Sequence, residues 1–328
     1  MRIPGKKMLA RAFRPVKSFL APGGLVLGYH RVSDSGWDPL KLAMSRDNFK
    51  SQLEYIAERY TPVSLSSLLE SQKRGQNLKG CVAITFDDGC NDFVASALPE
   101  LVRLNIPVTI FVTTGYEGKP FWWDEVCHAL RVGDRSADRL VVDFGPAGGR
   151  MVLENLSNEK IACNAARRIC DKLPFVDPAR RSDIIAQIRE ANGDELTVDR
   201  IPRALTHRQL ADIATYEFAE IGAHSVTHPM LAVMDTADQR REIQGSKAVL
   251  EALGYPVTGF SYPNGSYTPQ SLEIVKESGF AYACTSRQAI VRRGTDHYEM
   301  PRIWVPNIGE RLFRFWLSTW SGPRRQVG

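Results

Sequence analysis

No apolar run in the 328-residue chain reaches the length of about 18 residues that a membrane-spanning helix needs, so no such helix is predicted. No secretory leader is expected either. Lys6, Lys7, Arg11, Arg14 and Lys17 break up the apolar positions at the N-terminus, where a leader needs an unbroken apolar stretch. The expected location is therefore the cytoplasm. Cys81, Cys90, Cys127, Cys163, Cys170 and Cys284 include no CxxC pair, which argues against a zinc ribbon or a dithiol redox centre. In a reducing compartment these thiols are predicted to serve as small buried hydrophobes.

Acidic residues are absent from both ends. Residues 1–20 carry six basic residues and residues 311–328 carry Arg311, Arg314, Arg324 and Arg325, with no acid in either stretch. The net charge of +5 thus misdescribes the body, where 32 basic residues face 37 acidic ones. A nucleic-acid binder more often shows a basic stripe across its folded body, so no nucleic-acid partner is expected. Cations gathered at the ends point to peripheral contact with an anionic membrane surface. Leu9, Phe13, Val16 and Leu20 give residues 1–20 the spacing of a basic amphipathic helix. The C-terminal RLFRFWLSTW contributes Phe313, Phe315, Trp316 and Trp320. The competing reading of these ends is a pair of docking helices that cover the open bottom of the fold.

Between the ends, short β-rich runs alternate with helical stretches. Leu25–Val32 is followed by a helix capped near Ser45 that carries Phe49, Leu53, Ile56 and Ala57. Cys81–Asp88, a helix over Asp92–Leu104, and the strand Pro107–Thr114 continue the rhythm. It breaks at Phe121, Trp122 and Trp123, where an insertion over 121–205 is predicted, with a hairpin (LVVDF, RMVLE) and two polar helices. It resumes through residues 218–224, a helix from Thr236 with a Thr236/Gln239 capping box and a stop at Gly254, then 259–263, a Pro-started helix over Thr268–Gly279, 282–286 and 302–305. Strand–helix alternation of this kind builds parallel sheets. The predicted fold class is α/β, a distorted (β/α)7-8 barrel over 25–306 carrying that insertion, preceded by a basic segment (1–24) and followed by an aromatic and basic tail (307–328).

Two segments carry the chemistry. The apolar strand AITF ends in Asp87, Asp88 and Gly89, and both carboxylates can enter the barrel mouth, where barrel enzymes place their sites. Asp-Asp-Gly is also ordinary turn chemistry. His224 and His228 stand four apart directly after a second strand. Two imidazoles and a carboxylate make an open site for zinc or another first-row metal. Position 225 is Ser, so this is not the HExxH of metalloproteases and the base must come from elsewhere.

TFDDG (85–89) followed by HSVTHP (224–229) resembles the polysaccharide deacetylases of carbohydrate esterase family 4, which include the nodulation-factor chitooligosaccharide deacetylases. Leu27-Gly28-Tyr29-His30 at the start of the chain resembles the circularly permuted members that act on bacterial exopolysaccharides. The resemblance covers roughly residues 25–120 and 206–306. It implies metal-dependent removal of N-acetyl groups from an amino-sugar oligo- or polysaccharide such as an N-acetylglucosamine polymer, lipid-linked or free. It also implies Asp87 as general base, Asp88, His224 and His228 as ligands of a divalent cation (zinc first, with cobalt or nickel as substitutes), and His30 as general acid.

Two departures stand out. Ser261-Tyr262-Pro263-Asn264 occupies the place of the family's Arg-x-Pro-Tyr, so the arginine that pairs with the base is missing there. The Asn264 N–H is the candidate oxyanion donor. Arg302, at the start of the last strand, is the candidate partner for Asp87, because that strand should lie beside the first. The family's fourth-motif aspartate has no counterpart, since YACTS offers only Thr285 and Ser286. The readings that compete are a glycan-binding homologue with weakened catalysis, a hydrolase of another non-peptide amide, and an iron oxygenase, whose usual HxD…H order the chain does not show.

Overall fold

The computed structural model describes residues 23–131, 138–145, 148–176, 178–191 and 201–321. The basic segment predicted for residues 1–20, together with Arg324 and Arg325, lies outside them. In chain order the barrel elements begin with β1 (Leu25–Tyr29), β2 (Arg31–Val32), β3 (Ala43–Met44), α1 (Arg46–Arg59), β4 (Thr61–Pro62) and α2 (Leu65–Lys73). They continue with β5 (Cys81–Phe86), a π-helical turn at Phe93–Ala97, α3 (Leu98–Leu104) and β6 (Val108–Val112). The insertion supplies α4 (Trp122–Ala129), β7 (Arg139–Asp143), β8 (Arg150–Glu154), α5 (Glu159–Cys170) and α6 (Pro178–Ala191). The barrel then resumes with α7 (His207–Ala214), β9 (Ala219–Ala223), α8 (Thr236–Ala252), β10 (Gly259–Ser261), α9 (Pro269–Glu277), β11 (Tyr282–Cys284), β12 (Ile303–Trp304) and α10 (Glu310–Ser321).

All five residues of β1 (LVLGY) and of β6 (VTIFV) are buried. Strands this apolar must be covered on both faces, as in a parallel sheet wrapped by helices. The main sheet runs β11-β10-β9-β6-β5-β1-β12, with β4 paired to the start of β5 and every ladder parallel. A parallel bridge between Cys284 and Met300 brings β11 to the segment that feeds β12, which draws the sheet into a distorted barrel. The register sets Gly28 opposite Thr85 on one side and Trp304 on the other. A Cβ at Gly28 would lie 2.8 Å from the Trp304 ring, so any larger residue there would displace the indole.

Helix starts follow cap chemistry. The Ser45 side chain accepts the Asn48 N–H at the head of α1, and Thr206 and Gln209 form a reciprocal capping box on α7. At α8 the predicted Thr236/Gln239 box does not form. Asp235 caps instead, accepting from Asp238 N, because an aspartate one residue earlier is an equally good acceptor. Gln239 is thereby freed to face inward, where it donates to the Met234 carbonyl and accepts from the Ser271 hydroxyl.

The insertion has its own core, in which Phe121, Leu130, Leu140, Leu153, Ile169 and Ile184 are buried together. β7 and β8 form its antiparallel hairpin, Arg139 facing Glu154 and Asp143 facing Arg150. At the C-terminal end, Phe313 and Trp316 of α10 are buried in the main core, and Tyr55 of α1 meets Phe313 edge-on at 6.1 Å. These aromatics therefore dock α10 onto the barrel beside α1. Leu312 and Phe315 on the opposite side of α10 are each 61% exposed. Cys90, Cys127, Cys170 and Cys284 are buried, while Cys81 and Cys163 are partly so.

Candidate active site

Strand β5 delivers the two aspartates through a backbone device. Asp87 still follows the ladder, its N–H donating to the Tyr29 carbonyl at 3.0 Å. Asp88 then turns left-handed, at φ 70°, a conformation few non-glycine residues adopt. The Thr113 N–H holds its carbonyl at 3.1 Å. This is how adjacent residues, which would face opposite ways in a strand, both come to face the barrel mouth. Asp87 and Asp88 are each only 3% exposed.

Arg302, the residue before β12, reaches Asp87 with two parallel hydrogen bonds, Nη1 to Oδ1 at 2.6 Å and Nη2 to Oδ2 at 2.7 Å. Its remaining donors meet the Thr285 carbonyl at 3.3 Å, the Thr85 hydroxyl at 3.4 Å and the Ser261 hydroxyl at 2.9 Å. Ser261 in turn donates to Asp87 Oδ2 at 3.2 Å. The serine standing where the family has arginine thus lies between the aspartate and an arginine supplied by another strand. Burial alone would raise the Asp87 carboxyl. The Arg302 charge, then His224, and the Arg302 hydrogen bonds override it and hold Asp87 well below the usual carboxylate range.

Asp88 is in the opposite state. Burial, followed by the charge of Asp87, pushes its carboxyl up to about 8, and its Oδ1 has no hydrogen-bond partner. His224 Nε2 lies 3.5 Å and His228 Nε2 3.4 Å from that oxygen. One donor atom from each of Asp88, His224 and His228 falls within 4.8 Å of the others. The His224 Nδ1 is 2.7 Å from the Ser261 carbonyl, which can only accept, so Nδ1 carries the proton and Nε2 keeps its lone pair. Burial lowers the pKa of both histidines, favouring the neutral ligand form. A buried, unpartnered carboxylate oxygen beside two neutral imidazoles is a donor set suited to a divalent cation. Trp123 from the insertion packs on His228, with ring centroids 4.7 Å apart.

These groups line a cavity of about 210 Å³ with His30, Asn264, Trp122, Trp123 and Trp304. It opens into a cleft of about 730 Å³ past His30, Asn264 and Trp304, reaching Lys41 and Asn307. His30 stacks on Trp304 at 4.5 Å, with the ring planes 16° apart. Arg302, just before β12, precedes Trp304 by two residues, and His30, just after β1, follows Gly28, the register partner of Trp304, by two. The indole therefore meets both, the Arg302 guanidinium lying 4.7 Å from its centre. Burial lowers the His30 pKa to about 4, against the charge of Asp87, which raises it. Asn264 sits in a tight turn at φ 55° on the cavity rim.

All seven residues singled out from the sequence line this cavity or bond directly to it. Sequence reasoning missed Ser261 as a partner of Asp87, Trp304, and the insertion's Trp122 and Trp123. It also missed Arg31, whose guanidinium makes two bonds to Asp124 of α4, at 3.0 and 2.8 Å, and pins the insertion beside the site. The only signal for the tryptophans was their density at the start of the insertion. An Arg–Asp pair 93 residues apart leaves none.

Residues 74–136 and 193–283 match the sequence model of the family described as polysaccharide deacetylase. No curated protein matches the chain. Among solved structures, IcaB from Ammonifex degensii superposes with a TM-score of 0.61 at 20% identity, covering 92% of this chain and 98% of that one. The Streptococcus pyogenes deacetylase PplD, solved in complex with acetate, gives 0.60 at 18% identity over 92% and 100%. The deacetylase domain of BpsB from Bordetella bronchiseptica gives 0.52 at 16% over 86% and 96%. At these identities the superpositions show a shared fold.

Proposed function

Because the chain belongs to the polysaccharide deacetylase family, we propose that this N-deacetylase acts on an N-acetylated amino-sugar oligo- or polysaccharide with a divalent cation, zinc first, held by Asp88, His224 and His228. The observation that carries the reading is the contrast between two adjacent buried aspartates. Asp87 is locked anionic by Arg302, and Asp88 is left with an unpartnered oxygen between two neutral imidazoles. Held by Asp88, His224 and His228, a divalent cation would supply Lewis acidity for the acetyl carbonyl and would lower the pKa of water from 15.7 to about 7.

Asp87 accepts the proton of the attacking water. Arg302 and Ser261 hold that carboxylate in one orientation, so its approach is fixed before substrate arrives. The N–H of Asn264, at the rim, is the donor for the oxyanion of the tetrahedral intermediate. His30 protonates the departing amine, which is a very poor leaving group as an anion. Burial, opposed only in part by the charge of Asp87, leaves His30 neutral at rest, so it takes up a proton from solvent during the cycle before giving it to the nitrogen. The products are acetate and a free amine on the sugar. The cleft beyond Trp304 gives room for further sugar units of a chain.

This role fits exopolysaccharide or glycolipid biosynthesis, on a free or lipid-linked glycan. Peripheral attachment to the inner face of an anionic membrane is part of the proposal. It is supported by exposed Leu312 and Phe315 beside Arg311 and Arg314, and by the six cations of residues 1–20. Pelleting with anionic but not neutral vesicles at low salt tests the attachment. The test of activity is acetate release by zinc-loaded and chelator-stripped protein from a panel of N-acetylated oligosaccharides. Release confined to the loaded protein supports the proposal, and no release from any glycan refutes it.

A further inference from the structure

His224 and His228 belong to a short loop, His224 to His228, whose backbone is disfavoured at two of its five positions. Ser225 and His228 adopt left-handed conformations, at φ 64° and 55°, although neither is glycine. Such a loop keeps its shape only if its surroundings dictate it. One carboxylate on α8 accepts three hydrogen bonds from the middle of the loop, and the Thr114 N–H and the Ser225 hydroxyl hold its left-handed ends. Glu242 Oε2 accepts both the Val226 and the Thr227 N–H, each at 2.8 Å, and its Oε1 accepts the Thr227 hydroxyl at 2.7 Å. Two consecutive backbone N–H groups converging on one oxygen form an anion-binding nest, here filled from within the protein. The loop is closed from the other side by the Gly115 N–H, which donates to the Val226 carbonyl at 2.8 Å. A Cβ at Gly115 would lie 2.6 Å from that carbonyl oxygen.

We propose that Glu242 is a positioning residue of the metal centre, holding the segment between the two histidines so that both imidazoles meet Asp88. The inference rests on the proposed cation site and extends it to a residue that touches neither the cation nor the substrate. Glu242 lies on the buried face of α8 with Gln239, Ile243, Ser246 and Leu250. The helix thus carries loop geometry into the site through one side chain. Partners outside the ligand set commonly change metal affinity by roughly 10–100-fold when removed.

The experiment measures zinc binding by calorimetry and the visible spectrum of the cobalt-substituted protein, at a temperature where unfolding curves show each variant fully folded. Glu242→Ala is expected to bind zinc roughly 10–100-fold more weakly than the parent, with an altered cobalt spectrum. Glu242→Gln keeps one oxygen for the two N–H groups and offers an amide N–H to the Thr227 hydroxyl, so it should stay within about fivefold. Thr227→Val, which removes only the hydroxyl contact, should fall between Gln and Ala. Glu251→Gln, an exposed acid on the same helix, controls for lost charge and should leave binding unchanged. Folded Glu242→Ala that binds zinc within twofold of the parent, with the parent's cobalt spectrum, overturns the inference alone. A parent that binds no zinc overturns the cation site itself, and this inference with it.

Discussion

Arg302–Asp87 in the barrel and Arg31–Asp124 at its seam with the insertion are both buried, and in both the two terminal guanidinium nitrogens each meet a carboxylate oxygen, yet the two aspartates are pushed in opposite directions. Asp87 is held well below the usual range. At Asp124 burial prevails and raises the carboxyl, against the opposing charge and hydrogen bonds of Arg31. The difference lies in the company each pair keeps. Asp87 also has His224 and the Ser261 hydroxyl, and every polar atom of Arg302 has a partner. Asp124 shares its arginine with Asp92 and feels the charge of Asp38, while Arg31 Nε makes no hydrogen bond and stands 3.9 Å from Asp92. A two-pronged ion pair therefore does not by itself fix a protonation state. The barrel pair is arranged to keep an anion ready, and the seam pair to hold two cores together.

Breaking the barrel pair should have the larger effect. Arg302→Met leaves Asp87 buried without its cation, and losing one partner of a buried pair costs about 3–5 kcal/mol. The folded carboxyl of Asp87 lies below its unfolded value, so the pair's contribution is present above about pH 4 and fades as pH falls through the lower folded value. Denaturant curves of parent and variant should therefore be far apart at pH 7 and converge in strong acid. The variant's acid limb in kcat/KM should also move to higher pH, as Asp87 loses what keeps it ionised. Unchanged stability at pH 7 would show that the pair contributes nothing net.

At the seam, Arg31→Met should cost less, about 2–3 kcal/mol, because Asp124 can take up a proton in place of its partner. The double variant Arg31→Met/Asp124→Leu should recover most of that loss, as buried pairs replaced by apolar groups often do. Since Asp124 fixes α4, which carries Trp122 and Trp123 into the cavity, KM should rise more than kcat falls in the single variant. An equal fall in kcat with KM unchanged would mean that the seam acts on the reacting groups directly.

The smallest effect is expected at Asp92. Burial raises its carboxyl to about 6, above an unfolded value near 3.8. A raised acid contributes fully below the unfolded value and loses that contribution as pH climbs through the folded one. Asp92→Asn should therefore stabilise the protein at pH 8 by on the order of 1–2 kcal/mol and have no effect near pH 4. Equal shifts at both pH values would separate Asp92 from this titration.

The same contrast explains what could be read from the sequence. The barrel strands are continuous apolar runs, and the acidic and histidine segments stand at strand ends, so parallel order follows from local pattern, while the gathering of Asp87, Asp88, His224 and His228 in one site was what the family resemblance implied. Arg302 was reachable by topology, because a closing last strand must lie beside the first. The seam was not. Arg31 and Asp124 carry no periodicity, and their meeting depends on how two separate cores dock. Glu242 was hidden for a different reason. On α8 it reads as one more charge on a polar helix, and only the left-handed loop opposite shows why it is buried. The cap of α8 shifted by one residue because Asp235 and Thr236 are both good acceptors, and the sequence does not rank them.

The central claim is the division of labour between two adjacent aspartates, and zinc binding measured side by side with acetate release on Asp87→Asn and Asp88→Asn tests it most directly. Asp88→Asn should lose both zinc and turnover. Asp87→Asn should bind zinc within a few-fold of the parent and yet release acetate from an N-acetylated oligosaccharide at least about 100-fold more slowly. Equal loss of zinc in the two variants, or near-normal turnover by Asp87→Asn, would contradict the account.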